Sequence, residues 1–129
     1  METRIYRVDK FSVPPQAREE FLEKVRATHG LLRSQAGFVE DAILEQASGP
    51  GEFNFVTIVE WENAEAMEPA RRAVAALHEQ MNLDPREMFT RLGIRADLGN
   101  FKRVEQTNRR EHELAMPVNN RKSAGLEEF

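Results

Sequence analysis

The sequence contains no cysteine among its 129 residues. That absence excludes disulfide bridges, thiolate zinc sites and a cysteine nucleophile. No apolar run reaches the roughly 18 residues of a membrane span, and the first residues lack the apolar core of a secretory signal. We therefore expect a soluble, cytoplasmic protein that has no membrane partner.

The chain also lacks an excess of positive charge, since 22 acidic residues outnumber 18 basic ones and the formal net charge is -4. Proteins that bind nucleic acid usually present a basic surface, so nucleic acid is not an expected partner. Three scattered histidines show no metal-ligand spacing, and no glycine-rich phosphate loop or dinucleotide motif is present. We therefore predict that the protein uses no metal and no cofactor.

Length and composition predict one domain followed by a tail. A chain of 129 residues is long enough for one hydrophobic core and too short for two. Residues 1–104 hold all of the periodic segments, whereas residues 105–129 are mostly polar and have no sustained period. Spaced apolar residues in this tail predict an extended arm that docks on a neighbouring subunit, with disorder as the alternative.

Four strands and two long helices are predicted in the order β-α-β-β-α-β. Segments rich in β-branched and aromatic residues predict the strands, at residues 4–13, 38–47, 52–61 and 96–104. Helical period follows Pro15 and, again, Asn63, which has the side chain of an N-cap; a short further helix is expected at 85–92. This order predicts an α+β, ferredoxin-like fold with a four-stranded antiparallel sheet.

The predicted third strand is apolar on both of its faces. Phe55, Thr57 and Trp61 point to one side, whereas Val56 and Ile58 point to the other. In this topology both helices lie on one face of the sheet, and burying each of the two aliphatic residues on the other face is worth about 1.5–3 kcal/mol. We therefore predict a homodimer in which two sheets pack face to face, with cover by the tail as the alternative.

Three stretches of the chain resemble the antibiotic biosynthesis monooxygenase family, whose members form dimeric α/β barrels. They are the strand-proline-helix start with Phe21, the Ala-Gly-Phe at 36–38 and the Trp-Glu-Asn at 61–63. The resemblance covers roughly residues 4–104. It implies a homodimer and, in each subunit, a cleft between the sheet and the two helices where a flat aromatic molecule binds.

Characterised members of that family oxidise anthrone-like polyketides to quinones with molecular oxygen and without metal or flavin. The resemblance therefore implies a cofactor-independent monooxygenase that acts on an electron-rich aromatic or polyketide-like small molecule. Such a reaction needs a general base, an orienting donor and exclusion of water. No strong acid-base motif stands out, so a non-catalytic dimeric protein that binds a small molecule or assists a pathway enzyme is the alternative.

Six side chains are candidates for this cleft. His78, at the rim of the second helix, is a candidate base, Trp61 a stacking surface and N–H donor, and Asp9 a carboxylate within an apolar strand. We predict that these three are catalytic. The candidates for substrate binding are Tyr6, His29 (at the rim of the first helix) and Thr57. For each of the six, core packing, a local ion pair or a solvated position is the alternative.

A second branch of the family degrades haem and requires a stricter pattern. Comparison with that branch places Asp9 where it has an asparagine, Pro69 where it has a tryptophan, and His78 close to its axial histidine. One of these three positions is roughly kept, and haem needs a proximal ligand. Haem degradation is therefore the less favoured function.

Overall fold

The computed structural model describes residues 3–105, which form four strands and three α-helices. The strands are β1 (Ile5–Ser12), β2 (Phe38–Glu45), β3 (Phe55–Trp61) and β4 (Arg95–Phe101). The helices are α1 (Arg18–Leu32), α2 (Met67–Gln80) and α3 (Pro85–Leu92). None of these helices has both the length and the hydropathy of a membrane span. Apart from Glu105, the predicted arm lies outside the described residues.

The four strands form one antiparallel sheet in the order β2-β3-β1-β4. This order confirms the predicted ferredoxin-like α+β fold. The third strand begins three residues later than predicted because Asn54 takes another role. Its side chain accepts a hydrogen bond from the Val13 N–H at 2.8 Å and donates to the Val13 carbonyl at 2.9 Å, which closes the end of the sheet.

The helix starts follow the capping residues in the sequence. Asn63 accepts a hydrogen bond from the N–H of Ala66 at 3.0 Å, as an N-cap does, and a single 3-10 turn then leads into α2. Asp84 caps α3 in the same way through the N–H groups of Arg86 and Glu87. The predicted limits of α3 are confirmed, whereas the first helix begins with a 3-10 turn at Pro15–Ala17 before α1.

Two groups of buried side chains fill the space between the sheet and the helices. The larger group centres on Phe21, which is fully buried and lies with its ring centroid 4.9 Å from that of Phe11 and 5.1 Å from that of Phe55. The smaller group holds Trp61, whose ring stands edge-on to Phe38 at 6.1 Å. The core therefore lies on the face of the sheet that the helices cover.

A register shift interrupts β2 between Phe38 and Glu40. Phe38 is paired with Trp61 and Asp41 with Val59, so both point toward the helices although three positions separate them. Regular alternation would place Asp41 on the opposite face. The additional residue, Val39, is therefore a β-bulge that turns Asp41 toward α1.

The opposite face of the sheet, here called the outer face, carries several apolar side chains, as the sequence predicts. Val56 and Ile58 on β3 are only half-buried, while Leu44 is 50% and Phe101 51% exposed. Within residues 3–105, no helix packs on this face. Exposed apolar side chains on a sheet face are a feature of interaction sites.

Replacing Gly37 with alanine is expected to destabilise the fold. Gly37 has a φ of 86°, and an added Cβ would lie 2.4 Å from the Cβ of Ala66. A left-handed backbone at a residue with a Cβ and the overpacking against Ala66 together cost about 2–4 kcal/mol. Urea unfolding measures this cost as a loss in the free energy of unfolding. Gly30→Ala is the control: nothing lies within 4 Å of its added Cβ, and we expect a gain of about 0.5–1 kcal/mol. Equal effects at both positions would contradict this account.

Candidate functional site

A partly open cleft of about 130 Å³ lies between the helices and the sheet. Strands β1 and β3 form its floor, and α1, α2 and α3 form its walls. Most of its lining is apolar: Phe11, Phe21, Val25, Leu83, Pro85, Met88 and Phe89. Since a protein cavity of about 150 Å³ binds benzene, this cleft has room for about one aromatic ring.

The cleft brings together four of the six site residues predicted from the sequence. Asp9, His29, Thr57 and His78 line it, together with Lys24 and Thr28, which the sequence did not indicate. Both of these additional residues lie on α1, and only the packing of that helix against α2 and α3 brings them to the cleft.

Tyr6 and Trp61 do not line the cleft. Tyr6 lies three positions before the floor residue Asp9 on β1, and side chains an odd number of positions apart on a strand point to opposite faces, so Tyr6 points to the outer face. Its hydroxyl accepts a hydrogen bond from Nε of Arg103 at 2.8 Å. Trp61 shares the face of Thr57 but lies four residues further along β3, in the smaller core group. The structure therefore separates both aromatic residues from the other candidates, and their roles in a site stay predictions.

His29 differs from its predicted position at the helix rim, since only 5% of it is exposed. The ring lies between α1 and β2, where Nδ1 is 2.9 Å from Oδ2 of Asp41. Asp41 also binds Arg33 through two hydrogen bonds, from Nε at 3.0 Å and from Nη2 at 2.9 Å. The Arg33 guanidinium is the main cause that lowers the pKa of Asp41, and the His29 hydrogen bond adds to it. Asp41 is therefore an ionised acceptor.

Burial shifts the pKa values of two further titratable groups of the cleft, Asp9 and His78. Burial raises the pKa of Asp9, even though Arg7 donates a hydrogen bond from Nε to its Oδ1. Burial also lowers the pKa of His78, whose Nε2 lies 3.2 Å from Oγ1 of Thr28. Both shifts favour the neutral forms, so the cleft disfavours isolated charge.

The Asp9→Asn variant is expected to be more stable than the wild type near pH 7. Because the folded-state pKa of Asp9 is raised, the ionised carboxylate destabilises the fold at pH values above its ordinary pKa of 3.8. The penalty disappears as the pH falls below that value, so the stabilities of the two proteins should converge in acid. Thermal unfolding across this pH range measures the difference. A wild type that is more stable near pH 7 would show that the Arg7 pair outweighs burial.

Within residues 3–105, no three His, Cys, Asp or Glu side chains converge in a way that could hold a metal ion. The prediction that the protein needs no metal and no cofactor stays a prediction.

The family model of antibiotic biosynthesis monooxygenases matches residues 4–78, which is more than half of the chain. The chain belongs to that family. The match extends from the start of β1 to His78 and therefore includes Asp9, His29 and Thr57 of the cleft floor and walls. The resemblance inferred from the sequence is confirmed. No curated protein matches the sequence.

Solved structures of the antibiotic biosynthesis monooxygenase fold resemble this chain at low identity. One is SnoaB, a cofactor-independent oxygenase from Streptomyces nogalater, with 22% identity, a TM-score of 0.56, and coverage of 83% of this chain and 98% of SnoaB. Another is a heme-degrading protein from Mycobacterium tuberculosis, with 16% identity, a TM-score of 0.54, and coverage of 84% and 99%. At these identities the likeness concerns the fold, which hosts different chemistries.

Proposed function

We propose that this protein is a cofactor-independent monooxygenase that oxidises an electron-rich aromatic small molecule with molecular oxygen. The observation that carries the proposal is the cleft, in which apolar walls surround a few polar side chains: Asp9, His29, Thr57 and His78. Apolar walls bind an aromatic ring and exclude water, while a few polar groups orient it. The fold that it shares with SnoaB, a cofactor-independent oxygenase, supports the same function.

The reaction needs no electron donor other than its substrate. A base in the cleft removes a proton from the substrate, and the resulting anion is electron-rich enough to pass an electron to oxygen. For a methylene group between aromatic rings, the methylene and one O2 become one carbonyl group and one water. The substrate supplies all four electrons, so atoms and charge balance. The protein then contributes a base, orientation and a dry site.

The volume of the cleft limits the substrate. About 130 Å³ admits one ring, and the rest of a larger molecule would extend through the open side. A porphyrin is much larger than this space. The volume therefore supports an aromatic or polyketide-like substrate over haem.

Oxygen uptake by the purified, chelator-treated protein with a simple anthrone tests this proposal. We expect uptake above the uncatalysed rate and, with isotope-labelled oxygen, one labelled atom in each product molecule. Anthrone that binds without oxygen uptake would instead support the alternative, a dimeric protein that binds a small molecule or assists a pathway enzyme. Added haem that is degraded in place of anthrone would support the haem branch.

We also propose that the protein is a homodimer formed through the outer face. The half-buried Val56 and Ile58 and the exposed Leu44 and Phe101 form an apolar surface that a second copy of the same sheet would cover. Face-to-face packing of two sheets buries such side chains in a layer about 10 Å thick. The family resemblance implies the same assembly.

The Ile58→Lys variant is expected to be a monomer at micromolar concentrations, where the wild type is a dimer. A charge buried between two sheets is costly unless it is paired, whereas the same charge on a free surface is not. Sedimentation velocity measures the assembly. Ala75→Lys, at an exposed position of α2, is the control and should leave the dimer intact. A wild type that sediments as a monomer would overturn this proposal.

A further inference from the structure

His29 contacts Asp41, which in turn binds Arg33, and the proposed reaction assigns no role to either of these two groups. Asp41 of β2 contacts Nδ1, and Arg33, four residues after His29, binds both carboxylate oxygens of Asp41. Residues four apart share one face of a helix, so the end of α1 presents both partners to the same carboxylate. The side chains of His29 and Asp41 are 6% and 11% exposed, whereas that of Arg33 is 54% exposed. The His29–Asp41 pair is therefore buried, and Arg33 binds Asp41 from the protein surface.

This arrangement fixes the tautomer of His29. An ionised carboxylate only accepts hydrogen bonds, so in the neutral form of the ring Nδ1 carries the proton and the lone pair lies on Nε2. Within residues 3–105, the side chain of His29 makes its hydrogen bond to Asp41 through Nδ1, and Nε2 makes none. Every fully buried polar side-chain atom in that range has a hydrogen-bond partner, so Nε2 is not one of the fully buried atoms. Nε2 is therefore not sealed off, and His29 lines the cleft.

We propose that His29 is the proton acceptor of the cleft, and that Asp41 and Arg33 are positioning residues that hold it in the accepting tautomer. The proposal rests on the proposed function, because it assumes that the cleft binds an acidic aromatic molecule. When a phenol binds, its proton passes to Nε2 and the electron pair of the O–H bond stays on oxygen. The products are a phenolate and an imidazolium ion, which the Asp41 carboxylate stabilises.

The other titratable groups around the cleft do not compete for this role. Asp9 on β1 faces the same space but is paired with Arg7, and His78 on α2 is committed through Nε2 to its contact with Thr28. Lys24 of α1 also lines the cleft and carries a positive charge that favours an anion there. These groups can orient the substrate while His29 takes the proton.

Absorbance titration with 4-nitrophenol tests this role, because the anion of this probe absorbs visible light. At one fixed pH we expect a larger phenolate fraction in the bound probe than in the free probe. Asp41→Asn should lower the bound phenolate-to-phenol ratio about 10-fold or more, because an amide can donate to Nδ1 and favour the other tautomer. Nitrogen NMR spectra should show the change of tautomer directly. If Asp41 had a merely structural role, the ionisation of the bound probe would not change with the tautomer.

Glu45→Gln is the matched control. Glu45 also lies on β2 and also binds an arginine of α1 through two hydrogen bonds, at 2.9 and 2.8 Å from Arg18, but contacts no histidine. This variant should leave the ionisation of the probe unchanged. If Asp41→Asn does not fold, Arg33→Gln is the second variant. It removes the guanidinium group that binds Asp41, at a half-exposed position, and should give a smaller loss of bound phenolate.

The possible outcomes separate this proposal from the proposed function. A probe that binds but stays neutral, or that is equally ionised in the wild type, Asp41→Asn and His29→Gln, overturns the role of His29, and oxygen uptake would then still support the oxygenase. A bound phenolate without oxygen uptake on any aromatic substrate supports the role of His29 and overturns the oxygenase. A protein that binds neither the probe nor anthrone overturns both.

Discussion

The Val25→Phe variant is expected to lose affinity for an aromatic ligand by about 100-fold or more, which corresponds to about 2.7 kcal/mol. Val25 lies on α1 and lines the cleft, whose volume of about 130 Å³ admits one ring. A phenylalanine at this position would place its own ring in that space. The dissociation constant of 4-nitrophenol measures the loss, and oxygen uptake with anthrone should fall with it.

Val74→Phe is the control for this experiment. Val74 is a half-buried valine of α2 that does not line the cleft. The Val74→Phe variant should keep the wild-type affinity. Both variants should lose no more than about 1–3 kcal/mol of the free energy of unfolding, which is the usual cost of a larger side chain. Wild-type affinity in Val25→Phe would show that the ligand binds elsewhere.

The Phe21→Ala variant is expected to lose about 3–5 kcal/mol of the free energy of unfolding. Phe21 is fully buried, and its ring packs against both Phe11 and Phe55. Its removal leaves a void next to the cleft and breaks two aromatic contacts, each worth about 0.5–1.5 kcal/mol beyond the buried area. Because small domains have a net stability of only about 5–15 kcal/mol, this loss is a large share of the total.

Urea unfolding measures the effect, with Leu98→Ala as the control. Leu98 lies on β4 and is 52% exposed, so its truncation should change the stability by less than about 0.5 kcal/mol. Equal losses in the two variants would show that the ring of Phe21 is not the centre of the core.

The fold could be predicted from the sequence because its signals are local. Alternation along β3 and helical period after Pro15 and Asn63 identify the elements, and their order identifies the topology. Alternation also places Trp61 and Thr57 on one face, and the structure agrees. It carries no information on distance along that face, however. Four residues of a strand span about 13 Å, so Trp61 belongs to another part of the core.

The composition of the site was less predictable than the fold. His29 and His78 both lie at the edges of helical stripes, and nothing in the sequence distinguishes them. The structure does, since α1 packs on β2 and buries His29, whereas His78 stays half-buried. The partner of His29 was missed entirely. Asp41 could not be identified, because the alternation that predicts β2 assigns it to the opposite face.

The bulge at Val39 makes the position of Asp41 depend on how β2 pairs with β3 as well as on the identity of the residues in β2. A relative that has the same number of residues between Phe38 and Asp41 but pairs regularly, without the bulge, would keep every side chain of the pair but present the carboxylate on the other side of the sheet. A comparison that scores only which residues are retained would count that relative as equipped with the same chemistry. The pairing register of β2 between the Ala-Gly-Phe at 36–38 and the acidic residue is therefore the criterion that separates family members able to orient His29 from those that are not.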